Sequence, residues 1–281
     1  MSEASATRRL PRVFGTPMSA IATVSLLLVA VLAVAGPSLA PHDPLLFHAG
    51  NRLEGPSAAF WLGTDQFGRD ILSRILAGAP ASILFGLSAT AIGVVAGTVF
   101  GVVSGYAGGR VDEVLMRILD AVIAIPNLLL VMLIITVLGS STVNAVLAVG
   151  IAFAPGIARV ARGSALSIRS RDFINAARAR GENHGYIVMR ELLPNVLPPI
   201  VIEASLRVAV AILVGATLSY LGLGAQPPAS DWGLMIAEAR AYLFRNVWLV
   251  IAPAAFIAFA AISFNLAGDA LRDALNPRLG R

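Results

Sequence analysis

The chain has 281 residues, of which 57% are hydrophobic and 13% charged, against about 45–50% and about 25% in soluble globular domains. That excess places the chain in lipid and, with a mean hydropathy of +0.80, excludes a disordered polymer. The net charge is +5, yet all 21 basic residues are Arg and there is no cysteine, which excludes a disulfide framework, a thiolate metal site, a Schiff base and a P-loop lysine on this chain.

A hydrocarbon core of about 30 Å needs roughly 20 helical residues. Six apolar runs meet that need: Met18–Leu39, Ala81–Val103, Ile118–Leu138, Val143–Ala158, Pro198–Leu221 and Val247–Leu266. None shows the alternation of barrel strands, so the expected class is an all-α membrane protein with six transmembrane helices. Residues 1–17 form an N-terminal tail, 18–39 the first helix, 40–80 an external segment, 81–268 a five-helix core and 269–281 a C-terminal tail. Ala33-Val34-Ala35 resembles a signal-peptidase site, but the run is longer than a signal core and Pro37 follows, so the first helix is expected to be retained.

Arginine asymmetry sets the orientation. Fifteen arginines fall in the N-terminal tail (Arg8, Arg9, Arg12), the second–third connection (Arg110, Arg117), residues 159–195 and the C-terminal tail (Arg272, Arg278, Arg281), against five on the other side (Arg52, Arg69, Arg74, Arg240, Arg245). Both termini are therefore expected in the cytoplasm. The arginines cluster between apolar runs rather than among aromatics, and no nucleic acid is expected as a partner.

In the second run, Gly93, Gly97, Gly101 and Gly105 recur every four residues with Ala89 in register, a small-residue face on which another helix can approach closely. Pro126, Pro155 and Pro253 favour kinks in later runs. On the fifth, Glu203 and Arg207 stand four apart and are expected to form an intramembrane ion pair near the cytoplasmic end, a structural role favoured over substrate contact. Asp120, early in the third, is placed to reach Arg117 or the membrane interface.

Residues 159–195 are too polar for lipid. Ser170-Arg171-Asp172 starts a helix that Gly181 ends, and a second short helix is expected from about Gly185 to Leu193, stopped by Pro194. The two would lie across the membrane surface and present Ala176 and Ala177 as a docking patch among arginines.

Asn175-Ala176-Ala177, then Gly181 and Leu193-Pro194 at their spacings, resemble the EAA loop of ABC-importer permeases, with Asn175 where that family usually has Glu and Glu191 where it commonly has Ile. Further motifs narrow the resemblance to the C-type permease of dipeptide, oligopeptide and nickel importers: Leu62-Gly63-Thr64-Asp65 with Gly68-Arg69-Asp70, Gly105-Tyr106 with Gly108-Gly109, Ser219-Tyr220-Leu221-Gly222-Leu223-Gly224, and Gly268-Asp269 with Leu271-Arg272-Asp273. It covers approximately residues 18–281.

The resemblance implies a type I ABC-importer permease fold whose cytoplasmic loop is a coupling helix. Asn175, Ala176, Ala177, Arg178, Arg180, Gly181, Leu193 and Pro194 would contact an ATPase. Implied partners are a B-type permease completing a heterodimer, two ABC ATPase subunits that bind ATP and Mg, an extracytoplasmic solute-binding protein, membrane lipid and a peptide substrate. This chain would bind no cofactor, hydrolyse nothing and sit in the bacterial cytoplasmic membrane. The external segment would dock the binding protein or shape an outer gate, although Gly63, Gly68 and Asp70 equally suit turns and helix capping. His42 and His48 are too few for a metal site. Nickel chelates and glutathione remain alternative cargoes. A secondary transporter is disfavoured because no inverted repeat is evident, and an embedded enzyme because all three histidines lie outside the runs.

Overall fold

Residues 17–275 are described by a computed structural model, and their regular structure is almost entirely helical, with one isolated bridge between Thr64 and Asp70. Arg8, Arg9, Arg12, Arg278 and Arg281 of the two expected tails lie outside the described residues. In chain order the helices are α1 (Pro17–Ala35), α2 (Ile71–Ala107), α3 (Gly109–Ile123), α4 (Asn127–Leu138), α5 (Thr142–Arg169), α6 (Asp172–Ala179), α7 (His184–Tyr186), α8 (Leu193–Tyr220), α9 (Trp232–Ala239) and α10 (Trp248–Leu275). Several begin where a side chain supplies the hydrogen bond that a free helix N-terminus lacks. Asp70 accepts from Ser73 N at 3.0 Å, Ser141 from Asn144 N at 3.1 Å and Asp231 from Leu234 N at 3.0 Å.

Among the described residues, five helical stretches are long and apolar enough to cross a membrane, and a sixth crossing requires α3 and α4 together, although they meet at 89°. The third expected run is therefore broken rather than a single rod. Ala124 and Ile125 form the corner and Pro126 precedes α4, because the residue before a proline is driven out of the helical region. Pro80, Pro155 and Pro253 instead sit inside continuous helices.

Two other boundaries differ from the sequence expectation. The range 40–80, expected to be an external segment, already contains the first turns of α2, which is helical from Ile71. The fourth run, expected to end at Ala158, continues to Arg169. Ala158, Ala161 and Ala165 carry its buried face onward, while Arg159 pairs with Asp120 at 2.6 Å and Arg162 with Asp112 at 2.5 Å, both on α3. Asp120 thus reaches across to α5, and Arg117 pairs with Glu113 instead.

The main core lies between α2 and α5, with α4, α6 and α8 adding Ile135, Ile174 and Ile200. Each such side chain contributes about 1.5–3 kcal/mol when removed from water, but within lipid the close fit of small residues carries the association. A second core joins α1, α9 and α10 to the first turns of α2 around Trp232, whose indole Nε1 donates to Ile75 O at 2.9 Å. A Cβ at Gly78 would collide with Ser230 O, and one at Gly233 with Ala216 O, so α9 and its approach lie directly on α2 and α8. The α9 end and the α6 end are at opposite ends of α2.

Candidate functional site

The glycine stripe of α2 is the surface against α5. A Cβ at Gly93 would stand 2.9 Å from Phe153 Cβ, one at Gly97 2.6 Å from Ala154 O, and one at Gly105 2.7 Å from Ala165 Cβ. At Gly101 it would collide with Ala158 O. Real Cβ atoms do not come so near a neighbouring backbone, so the two helices touch main chain to main chain.

The long α2–α5 pair carries the elbow at its end. Asp172–Ala179 form α6, whose Ile174 and Ala177 are both fully buried in the main core. Phe173, Asn175, Ala176, Arg178 and Arg180 face outward. The expected docking patch is thus corrected: Ala176 is exposed, whereas Ala177, three residues after Ile174, is turned into this chain's own interior by the helical period.

Gly181 ends α6 at φ +80°, a conformation that costs L-residues with a Cβ. Its N–H donates to Arg178 O at 3.0 Å, and Glu182 N donates to Ala177 O at 3.2 Å, the paired bonds of a Schellman cap. Arg180 lies 3.6 Å from Glu182 and 3.8 Å from Glu191, so the Glu at position 191 has a partner within the elbow.

The second expected short helix, ending at Pro194, is not a separate element. His184–Tyr186 runs through a wider turn at Ile187–Leu192 directly into α8. Pro194 stands in the first turn of α8, where its missing N–H and its ring are tolerated. Leu193 packs against the main core, and Pro194 is exposed. Of the stretch 159–195, only about 170–183 departs from the two long helices.

An aromatic contact that the sequence reading missed ties this elbow to α2. Tyr106 Oη lies 2.8 Å from His184 Nδ1, and the Arg178 guanidinium lies 5.9 Å from the Tyr106 ring centroid. Gly105-Tyr106 and His184 are 78 residues apart, so periodicity within either helix could not pair them.

At the other end of α2, buried charges were also missed. Arg74 Nη1 donates to Asp65 at 2.8 Å and to Glu238 of α9 at 3.0 Å, while Arg69 Nε donates to Asp65 at 2.6 Å and its Nη2 to Glu238 at 3.1 Å. Arg69, Arg74 and Asp65 are each no more than 4% exposed. Asp70 caps α2, and Gly63 and Gly68 hold positive φ, so these residues shape turns here. The hint in the sequence was the alternation of two aspartates and two arginines, Asp65, Arg69, Asp70 and Arg74, within ten residues before an apolar run.

Removing one partner from a buried ion pair leaves the other uncompensated, at a cost of about 3–5 kcal/mol. Asp65→Asn is therefore expected to destabilise the purified protein by about that much, and Glu238→Gln by less, since Glu238 is 16% exposed. Chemical denaturation in detergent measures both, and wild-type stability for Asp65→Asn would contradict the role given to the network.

Glu203 and Arg207 are joined by a 2.8 Å bond from Arg207 Nε to Glu203 Oε1. The guanidinium lies 5.4 Å from the Phe153 ring centroid and beside Gly156 of α5. Among the described residues, no group of three or more His, Asp and Glu is arranged to hold a metal ion.

Residues 97–281 match the family described as binding-protein-dependent transport system inner membrane component. The chain is 42% identical over 266 residues to the probable D,D-dipeptide transport system permease protein of Escherichia coli, covering 95% of this chain and 89% of that one. It is 38% identical to the di/tripeptide transport system permease protein of Pseudomonas aeruginosa, over 90% and 86% of the two chains. It is also 41% identical to the glutathione transport system permease protein of Escherichia coli, over 93% and 87%. Among solved structures, the inward-facing MetNI methionine ABC transporter superposes with a TM-score of 0.59 at 20% identity, over 72% of this chain and 97% of that chain. On the family match and on relatives 38–42% identical over at least 90% of its length, this chain belongs to the binding-protein-dependent transport family of inner membrane permeases.

Proposed function

We propose that this chain is the permease subunit of an ATP-driven importer that carries di- and oligopeptides across the bacterial cytoplasmic membrane. The observation that carries the reading is α6, held to the core by Ile174 and Ala177 and leaving Asn175 and Ala176 free on its outer face. Such a helix can receive displacement from a separate motor and hand it to α5 and α8. Two ABC ATPase subunits would bind ATP and Mg and perform all hydrolysis. A B-type permease would complete the path, and an extracytoplasmic solute-binding protein would deliver the cargo. Both termini and α6 would then be cytoplasmic, in keeping with the arginine asymmetry.

Peptide cargo is supported by the two peptide-permease relatives. Glutathione is the second reading, supported by the 41% identical relative named for it. Arg178, turned toward Tyr106, would steady the elbow, while Arg180 would share its charge between Glu182 and Glu191.

The test uses the complete importer in sealed vesicles. Uptake of labelled dialanine is expected to require ATP, and a cysteine at Ala176 is expected to crosslink to an ATPase subunit in a nucleotide-dependent way. Crosslinks from Ala176→Cys that never capture an ATPase, or labelling of that cysteine from the periplasmic side, would overturn the assignment.

A further inference from the structure

Four helices surround α8 without enclosing it. Val208 and Ile212 meet α2, Ser205 and Leu206 meet Gly268 of α10, Ala216 meets Gly233 of α9, and Arg207 lies beside Gly156 of α5. The sector left open carries Glu203, Val210 and Thr217, which recur every seven residues and so stack along one face. Leu213 and Tyr220 flank them and are exposed. Arg207 adjoins the same face through its bond to Glu203, and both charged side chains retain about a quarter of their surface, at 26% and 24%.

This face cannot be turned to acyl chains at little cost. Arg207 is 13 residues from Tyr220 at the end of α8, or roughly 20 Å at about 1.5 Å per residue, within a hydrocarbon layer of about 30 Å. A charged side chain exposed to lipid at such depth costs about 2.5–3.5 kcal/mol on insertion scales. A stripe that adds Glu203, Thr217 and Tyr220 to that arginine is suited to a watered surface between protein walls.

We propose that the Glu203–Arg207 pair borders the solute path and binds the two charged ends of a zwitterionic peptide, Arg207 taking the carboxylate and Glu203 the ammonium. The assignment rests on the peptide-importer reading above. Charge complementarity selects this occupant: one positive and one negative group are held side by side, open on one side, and satisfy each other when no solute is present. Neither is left unpaired in the empty path, so binding exchanges ion pairs rather than desolvating a lone charge. Their partial exposure keeps the site weak, as a passage site must be if the solute is to leave.

The full importer, reconstituted in vesicles, separates this role from a purely structural pair. Charge exchange by Glu203→Arg with Arg207→Glu preserves a pair but reverses its polarity. Labelled dialanine uptake is expected to fall at least tenfold, with subunit assembly within about twofold of wild type. Uptake restored to within twofold by the exchange, when Arg207→Gln alone abolishes it, would overturn the proposal. Because the chain has no native cysteine, Val210→Cys gives a second reading that does not depend on the exchanged chain assembling. During ATP turnover its thiol is expected to react with a charged, membrane-impermeant reagent and to be protected by dialanine. Reaction only with a lipid-soluble reagent would overturn the proposal. If the wild-type importer takes up no dipeptide while Val210→Cys is labelled from water, the peptide reading fails and the watered stripe stands.

Discussion

Gly97→Leu is expected to abolish accumulation of the folded chain, reducing it at least tenfold in membrane fractions. The cause is geometric. A Cβ at Gly97 already stands 2.6 Å from Ala154 O and 2.7 Å from Ile157 Cβ, and neither backbone nor a buried β-branched stem can withdraw without separating α2 from α5. Overpacking typically costs about 1–3 kcal/mol, and more where backbone must move. Since this contact unites two long helices of the main core, the loss spreads to α4, α6 and α8 through residues such as Ile135 and Ile174. Gly163→Leu is the matched control, because a Cβ there meets nothing within 4 Å. Immunoblotting of membranes and size exclusion in detergent read the outcome. Equal accumulation of the two variants would show that α2 and α5 are not in main-chain contact.

Gly181→Pro is expected to eliminate transport, at least tenfold, while leaving insertion and accumulation near wild type. Proline holds φ near −65°, whereas position 181 requires +80°. It also deletes the N–H that donates to Arg178 O. The change falls in the exposed cap, after the last buried residue of α6, so the spans are untouched and the direction of the elbow is lost. Gly181→Asn should retain much of the uptake, because Asn tolerates the left-handed region better than other side chains. Ala177→Asp is a different lesion. It places a carboxylate in a fully buried position, at a cost of several kcal/mol, and should lower stability before it reveals anything about coupling. Vesicle uptake set beside thermal unfolding distinguishes these outcomes, and wild-type uptake by Gly181→Pro would remove the elbow from the transport cycle.

The helices were legible because hydropathy over some 20 residues registers a lipid environment regardless of tertiary detail. The Gly93–Gly105 register was legible for a similar reason, since its spacing is local to one helix. What escaped were features set by pairs distant in sequence. Ala158, Ala161 and Ala165 extend α5 well past its apolar run because α2 offers glycines opposite them, and no window on α5 alone carries that information. Pro194 resembled a terminator, yet a wide turn just before it lets the chain remain helical from His184 to Tyr220. The face presented by Ala177 was misjudged because residue size was weighed before helical period, and Ile174 three positions earlier marks the inward side. The outermost members of the network of Asp65, Arg69, Arg74 and Glu238 lie 173 positions apart in sequence, so only the folded chain brings its charges into one place.

One feature of α2 joins the two ends of the molecule. Its 37 residues, about 55 Å at 1.5 Å each, run without a break from the Asp70 cap to Ala107. A continuous girder of that length has no relay to tune and no slack to take up. Any tilt delivered beside His184 sweeps the opposite tip as well, and the single proline along it, Pro80, lies two residues from the ledge where Gly78 meets Ser230. Leverage is therefore written into the length of one helix, with its fulcrum set by the glycine seam against α5.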